Sequence, residues 1–119
     1  MAYLLAIGLI VSSTFTVADD DTDDAPAPAV LAAPHEYLYD EYPVLARKLD
    51  CIIRHESTWN QWATNGKYAG LAQFDYPTWM ETPQGQAGQS RFDPYAAIDA
   101  LAWGWTHLGS GRWTTARLC

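Results

Sequence analysis

The stretch LARKLDCIIRHESTWN, residues 45 to 60, decides the fold. Leu45, Leu49, Ile52 and Glu56 fall at i, i+4, i+7 and i+11, the spacing of one helix face, while Arg47, Lys48, Asp50 and Arg54 point elsewhere. The pattern predicts a helix that opens near Pro43, a residue suited to a first helical turn, and ends at Glu56 or Ser57. It also puts a carboxylate in the middle of an apolar stripe. Burial disfavours the charged form of such a group, the condition under which a carboxylic acid stays protonated near neutral pH and can donate its proton. His55 lies off the stripe and reads as solvated. Trp59 stands at i+4 from it where a zinc-protease helix would carry a second histidine, so that motif fails.

Downstream, STWNQWATNGKYAG interrupts the helix, and residues 60 to 73 read as a loop or short hairpin. Asp75 followed by Tyr76 and Pro77 has the look of an N-cap with a first-turn proline, opening a short helix through Thr78, Trp79 and Met80. TPQGQAGQS, residues 82 to 90, reads as a flexible loop. Asp93 and Pro94 repeat the cap-plus-proline signal. They start a helix with Ile98, Leu101, Trp105 and Leu108 on one stripe, Gly104 beside it to admit another backbone, and Gly109 as the stop. The fold class is therefore mainly α, a small helical domain with a loop or hairpin segment beside the end of its first long helix. No internal repeat and no phosphate-binding glycine motif occurs.

Upstream, residues 1 to 18 are apolar, too short and Ser/Thr-broken for a comfortable spanning helix, and close on Thr16, Val17 and Ala18 like a cleavage site. They read as a signal peptide or, since no Lys or Arg precedes the apolar run, an uncleaved membrane anchor. Either places the remainder outside the cytoplasmic membrane. Residues 19 to 34 hold five aspartates ahead of a Pro/Ala segment and read as a disordered linker. The formal charge of −7 is concentrated there, and the domain from 35 to 119 is nearly neutral, with no basic cluster to suggest nucleic acid. Two cysteines, Cys51 and Cys119, in an exported chain favour a disulfide over two free thiols, and they lack the ligand count of a metal site.

Glu56-Ser57, Trp59-Asn60, the string Tyr68-Ala69-Gly70-Leu71-Ala72-Gln73-Phe74, then Thr78-Trp79, and an Ala-rich helix followed by Gly109, Gly111, Trp113 and Cys119 together form an ordered set. Over residues 43 to 119 this set resembles the lysozyme-like domain of lytic transglycosylases, nearest to that of resuscitation-promoting factors. The resemblance implies an α+β lysozyme-like fold and a secreted enzyme. Its substrate would be the β-1,4 link between N-acetylmuramic acid and N-acetylglucosamine in peptidoglycan, with Glu56 as catalytic acid. Two features depart from that family: His55 stands where it has a cysteine directly before the glutamate, and the interior of the Gly-Gly-Leu-Gln-Phe string is changed while Gln73 and Phe74 are kept.

Glycosidases commonly use two carboxylates. Asp75 and Asp93 read as caps, and Glu81 and Asp99 as surface charges, so no second one emerges. A lytic transglycosylase needs only one, because the substrate's N-acetyl group stabilises the oxocarbenium-like centre while the same glutamate gives and recovers a proton. Aromatic faces stack on sugars, which makes Trp59, Trp62, Tyr68 and Trp79 candidate substrate contacts around Glu56. Gln73 is a candidate for holding a sugar acetamido group, and Trp105 and Trp113 are core. The expectation is a monomer acting on peptidoglycan glycan strands without metal or organic cofactor. The alternatives are a hydrolytic lysozyme and a non-catalytic wall-binding module.

Overall fold

A computed structural model describes residues 31 to 119; the expected signal peptide and nearly all of the acidic linker lie outside the described residues. Five α-helices, a two-stranded hairpin and two 3-10 turns make up the described fold: α1 Pro34–Glu41, α2 Ala46–Ser57, β1 Thr64–Asn65, β2 Tyr68–Ala69, α3 Tyr76–Glu81, α4 Pro83–Gln86 and α5 Pro94–His107, then Ser110–Arg112 and Thr114–Leu118. The domain is mainly α, as the periodicity predicts. Among the described residues no helix is long and apolar enough to cross a membrane.

Pro34 opens α1 at its first turn, and the Tyr95 hydroxyl on α5 donates to the Ala32 carbonyl at 2.6 Å. Helix α1 buries Leu38 and sends its tyrosines to two neighbours. Tyr37 and Tyr42 donate to Asp99 on α5 at 2.8 and 2.6 Å, and Tyr39 donates to Asp50 on α2 at 2.7 Å. Asp99 is thus a bridge between helices and not the plain surface charge expected. Burial first, then the hydrogen bond to Asp99, pushes the Tyr37 hydroxyl up to about 12 and Tyr42 higher still, so both remain donors throughout the physiological range.

Helix α2 starts at Ala46, after a turn over 43 to 45, and its buried face is Ala46, Leu49, Asp50, Ile52, Ile53 and Ser57. That face is rotated from the stripe drawn through Leu45 and Glu56, because Ala46 and Ile53 also seek the core. The rotation carries Asp50 inward, to 4% exposure, and leaves Glu56 half-buried at the margin. Thr58 caps the helix in the left-handed region, φ 52°, and Trp59 follows at φ 63°. Two consecutive left-handed side-chain residues turn the chain sharply away from Glu56, at a strain of about 1 kcal/mol or more each.

The hairpin pairs Thr64 with Ala69 and Asn65 with Tyr68, with Gly66 at φ 59° in the first turn position that favours glycine. Gly70 lets it lie flush on the segment that leads into α5: a Cβ there would stand 2.0 Å from the Arg91 carbonyl oxygen. Arg91 in turn donates to the carbonyls of Lys67 and Phe74, both at 3.0 Å. Asp75 caps α3 through Thr78 N–H, and Asp93 caps α5 through the N–H groups of Tyr95 and Ala96, as the cap-plus-proline signals predict.

Residues 82 to 90 are not the flexible loop expected. Thr82 is fully buried and caps α4 by accepting from Gly85 N–H, while Gly85 sits where a Cβ would meet the Trp79 carbonyl oxygen at 2.0 Å. The core centres on Phe74, edge-to-face with Trp79 and Trp113 at centroid distances of 5.2 and 5.4 Å. Trp113 also fills the space above Gly104, so that glycine admits an indole and not a second backbone. The Cys51–Cys119 disulfide is formed and fastens the second 3-10 turn to α2.

Candidate active site

Glu56 lies in the last turn of α2, beside a cavity of about 440 Å³. The hairpin supplies Asn65 and Tyr68, the strand exit supplies Gln73, and the C-terminal segment supplies Arg112 and Thr115. Thr115 Oγ1 donates to Glu56 Oε2 at 2.6 Å, and among the described residues Glu56 Oε1 accepts no hydrogen bond. Among those residues Glu56 is also the one carboxylate that lines this cavity. Sequence reasoning missed Thr115 and Arg112. They lie more than fifty positions from Glu56 and carry no local pattern; only the packing of the 3-10 turn against α2 brings them in.

Gln73 holds its place at a backbone cost. Its φ is 52°, and its Nε2 donates to the carbonyls of Gly70 at 2.9 Å and Ala63 at 3.1 Å. With the amide nitrogen so committed, its Oε1 is the end that remains open to a ligand. The non-glycine left-handed residues among those described, Thr58, Trp59 and Gln73, thus all lie beside Glu56 in sequence or line its cavity. Such strain collects where function over-determines the backbone.

An adjoining cavity of about 220 Å³ shares Tyr68, Gln73, Arg112 and Trp113, and adds Asp75 and Thr78. Hydrogen bonds from Thr78 hold the Asp75 carboxyl below the usual carboxylate range, so it is an anion at neutral pH. Arg112 forms an exposed pair with Glu81 at 3.3 Å on the rim.

Of the aromatic candidates, only Tyr68 joins Glu56 and Gln73 in one cavity. Trp79 is 2% exposed, and its indole N–H donates to the Gln89 carbonyl at 3.0 Å, which makes it a core residue. Trp59 turns towards α1, where its ring meets His35 at 5.0 Å and its N–H donates to Asp50 at 2.9 Å. Trp62 is 65% exposed and stacks on Phe92, outside the residues that line either cavity. Trp113 is buried as expected, whereas Trp105 is half-buried and shows a face to solvent.

Among the described residues, Asp50 is a carboxylate with both oxygens committed. It receives the Tyr39 hydroxyl, the Trp59 indole and His35 Nε2, and pairs with Arg54 at 2.8 Å. Burial is the largest single influence on this carboxyl and pushes it up. The hydrogen bonds from Tyr39, Trp59 and His35 and the Arg54 charge together outweigh it and hold the group below its ordinary value. Its oxygens are spent on structure. Cys51, His55 and Cys119 lie close enough to suggest a metal site, but both sulfurs are consumed by the disulfide.

No protein-family model matches the chain, and no curated protein and no solved structure matches it either.

Proposed function

We propose that the domain is a lysozyme-like muralytic enzyme that cleaves the N-acetylmuramic acid–β-1,4–N-acetylglucosamine bond of peptidoglycan as a lytic transglycosylase, with Glu56 as its single acid. The observation that carries this reading is the lining of the Glu56 cavity: one carboxylate, accompanied by a strained glutamine, a tyrosine and, among the described residues, no second acid. The motif order from Glu56 to Cys119 supports it, as does a disulfide suited to an oxidising, extracytoplasmic compartment.

Thr115 occupies Oε2, so Oε1 is the oxygen that carries the proton to the glycosidic oxygen. As the leaving sugar departs, the substrate's N-acetyl carbonyl stabilises the charge at the anomeric carbon. The muramic 6-hydroxyl then attacks that carbon and returns its proton to Glu56, leaving a 1,6-anhydro end. Gln73 Oε1 can accept an acetamido N–H, and Tyr68, 39% exposed, can stack on a sugar face. A second reading, hydrolysis by water, is favoured by one observation, the anionic Asp75 in the adjoining cavity.

Mass spectrometry of muropeptides released from purified peptidoglycan tests both. Products one water lighter than hydrolytic ones, made by the wild type and lost in Glu56→Gln, are the expected result; unmodified reducing ends would make the enzyme a lysozyme. Wall binding without any release would leave only a binding module.

A further inference from the structure

The sequence contains no basic run, yet the fold brings Lys48 and Arg117 into one cavity of about 490 Å³. The disulfide is the cause. Cys51 follows Lys48 on α2 by three residues and Cys119 follows Arg117 by two, so the bridge pins the two cation-bearing segments side by side. Trp105 forms one wall, with Lys48 Nζ 5.9 Å from its ring centroid, and buried Trp113 adds an apolar surface. The hydroxyls of Ser110 and Thr114 complete the lining and make no hydrogen bond among the described residues. Among those residues no carboxylate lines the cavity, and neither Lys48 nor Arg117 has an acidic partner.

Two cations without an acidic partner, two hydroxyls and indole surface suit an anion carried on an apolar stem. The recess is open, with Arg117, Ser110 and Thr114 exposed, and the Trp105 face holds Lys48 beside it. The cavity shares Trp113 and Thr114 with the one that holds Glu56, so a polymer lying at Glu56 has this recess just across residues 113 and 114. In a strand whose muramic lactyl groups are all amide-linked to peptide the glycan itself is uncharged, and the carboxylates belong to the peptide that hangs from each muramic residue. We propose that the recess is a subsite for the carboxylates of that peptide stem, so that the domain recognises strands whose stems carry free carboxylates in preference to strands whose stems are uncharged. The identity of the ligand rests on the muralytic reading; the anion-binding character rests on Lys48 and Arg117 alone.

The test uses the full chain and the Lys48→Gln/Arg117→Gln double variant. Calorimetric titration is run with a tetrapeptide stem bearing free carboxylates and with its fully amidated counterpart. Cleavage is followed on strands whose stems carry free carboxylates and on strands whose stem carboxylates are fully amidated. The wild type should bind the free-acid peptide about tenfold or more tighter than the amidated one, the factor that about 1.4 kcal/mol of charge contact provides, and the double variant should lose that margin. The wild type should also cut free-acid strands several-fold faster than amidated ones, with the variant slowed only on the former. Equal binding of the two peptides, undiminished binding by the variant, or binding of inorganic phosphate as tight as that of the free-acid peptide would overturn the subsite. Selective peptide binding without cleavage of any strand would remove the muralytic reading and leave the carboxylate site standing; cleavage without peptide binding would do the reverse.

Discussion

The hydrogen bond from Thr115 to Glu56 divides the two oxygens of one carboxylate into a held one and a free one, and so orients the proton. Thr115→Val keeps the shape and removes the donor, so the carboxylate loses the contact that fixes its orientation. On the muralytic reading the rate of muropeptide release should fall about tenfold, the factor that a lost hydrogen bond to a charged group, about 1.5 kcal/mol, provides. Thr115→Ser should restore it; an unchanged rate in the valine variant would mean the hydroxyl does not act on Glu56. Asp50 predicts a pH effect. Its folded carboxyl titrates below the unfolded value of 3.8, so the stability it contributes is complete above that value and is lost as pH falls through the folded one. Asp50→Asn should cost about 3 kcal/mol at neutral pH and flatten the acid side of the stability curve, both measurable by urea unfolding across pH. Glu56 stands out in the sequence because it falls in line with Leu45, Leu49 and Ile52, but the buried face of α2 is rotated from that line and leaves it at the margin. Asp50 does not stand out, because a charge among charges looks solvated until His35 and Tyr39 from α1 and Trp59 from the turn after α2 are seen to converge on it.

At the scale of elements, the cap-plus-proline pairs Asp75 with Pro77 and Asp93 with Pro94 make α3 and α5 readable from residue order alone. The same chemistry opens α4, where Thr82 caps and Pro83 leads. There, however, Gly85, Gly88 and three glutamines dilute the pattern, and the reason for Gly85 lies outside its own segment, in the Trp79 carbonyl it must pass. Gly85→Ala should therefore destabilise by about 2 kcal/mol despite the better helix propensity of alanine, as overpacking usually does. Gly111→Ala, with open space around its Cβ, should unfold within about 0.5 kcal/mol of wild type in the same experiment. The aromatic residues were the least legible. Trp59, Trp62, Tyr68 and Trp79 look alike in sequence, and only the two left-handed residues after α2 and the seat of Trp79 beside Phe74 decide which of them reaches the cavity.

For the whole molecule the decisive bond is Cys51–Cys119, which closes a loop of 68 positions and removes about 4 kcal/mol of unfolded-state entropy. In a domain of this size that is a large share of the total. Cys51→Ser should lower the melting temperature well below that of the oxidised wild type, and equal melting temperatures would contradict the assignment. The pairing was legible from an even cysteine count alone. Its consequence for the two cavities was not, because nothing in the order of residues says that Lys48 and Arg117 become neighbours. The bridge also sets a clock. Helix α2 and the hairpin leave the ribosome well before Arg112, Thr115 and Cys119, so a growing chain holds Glu56 for some time without the wall that orients it. On the muralytic reading, the site is complete only after the last residues have been made, and the oxidant that joins the thiols then fastens that last wall in place.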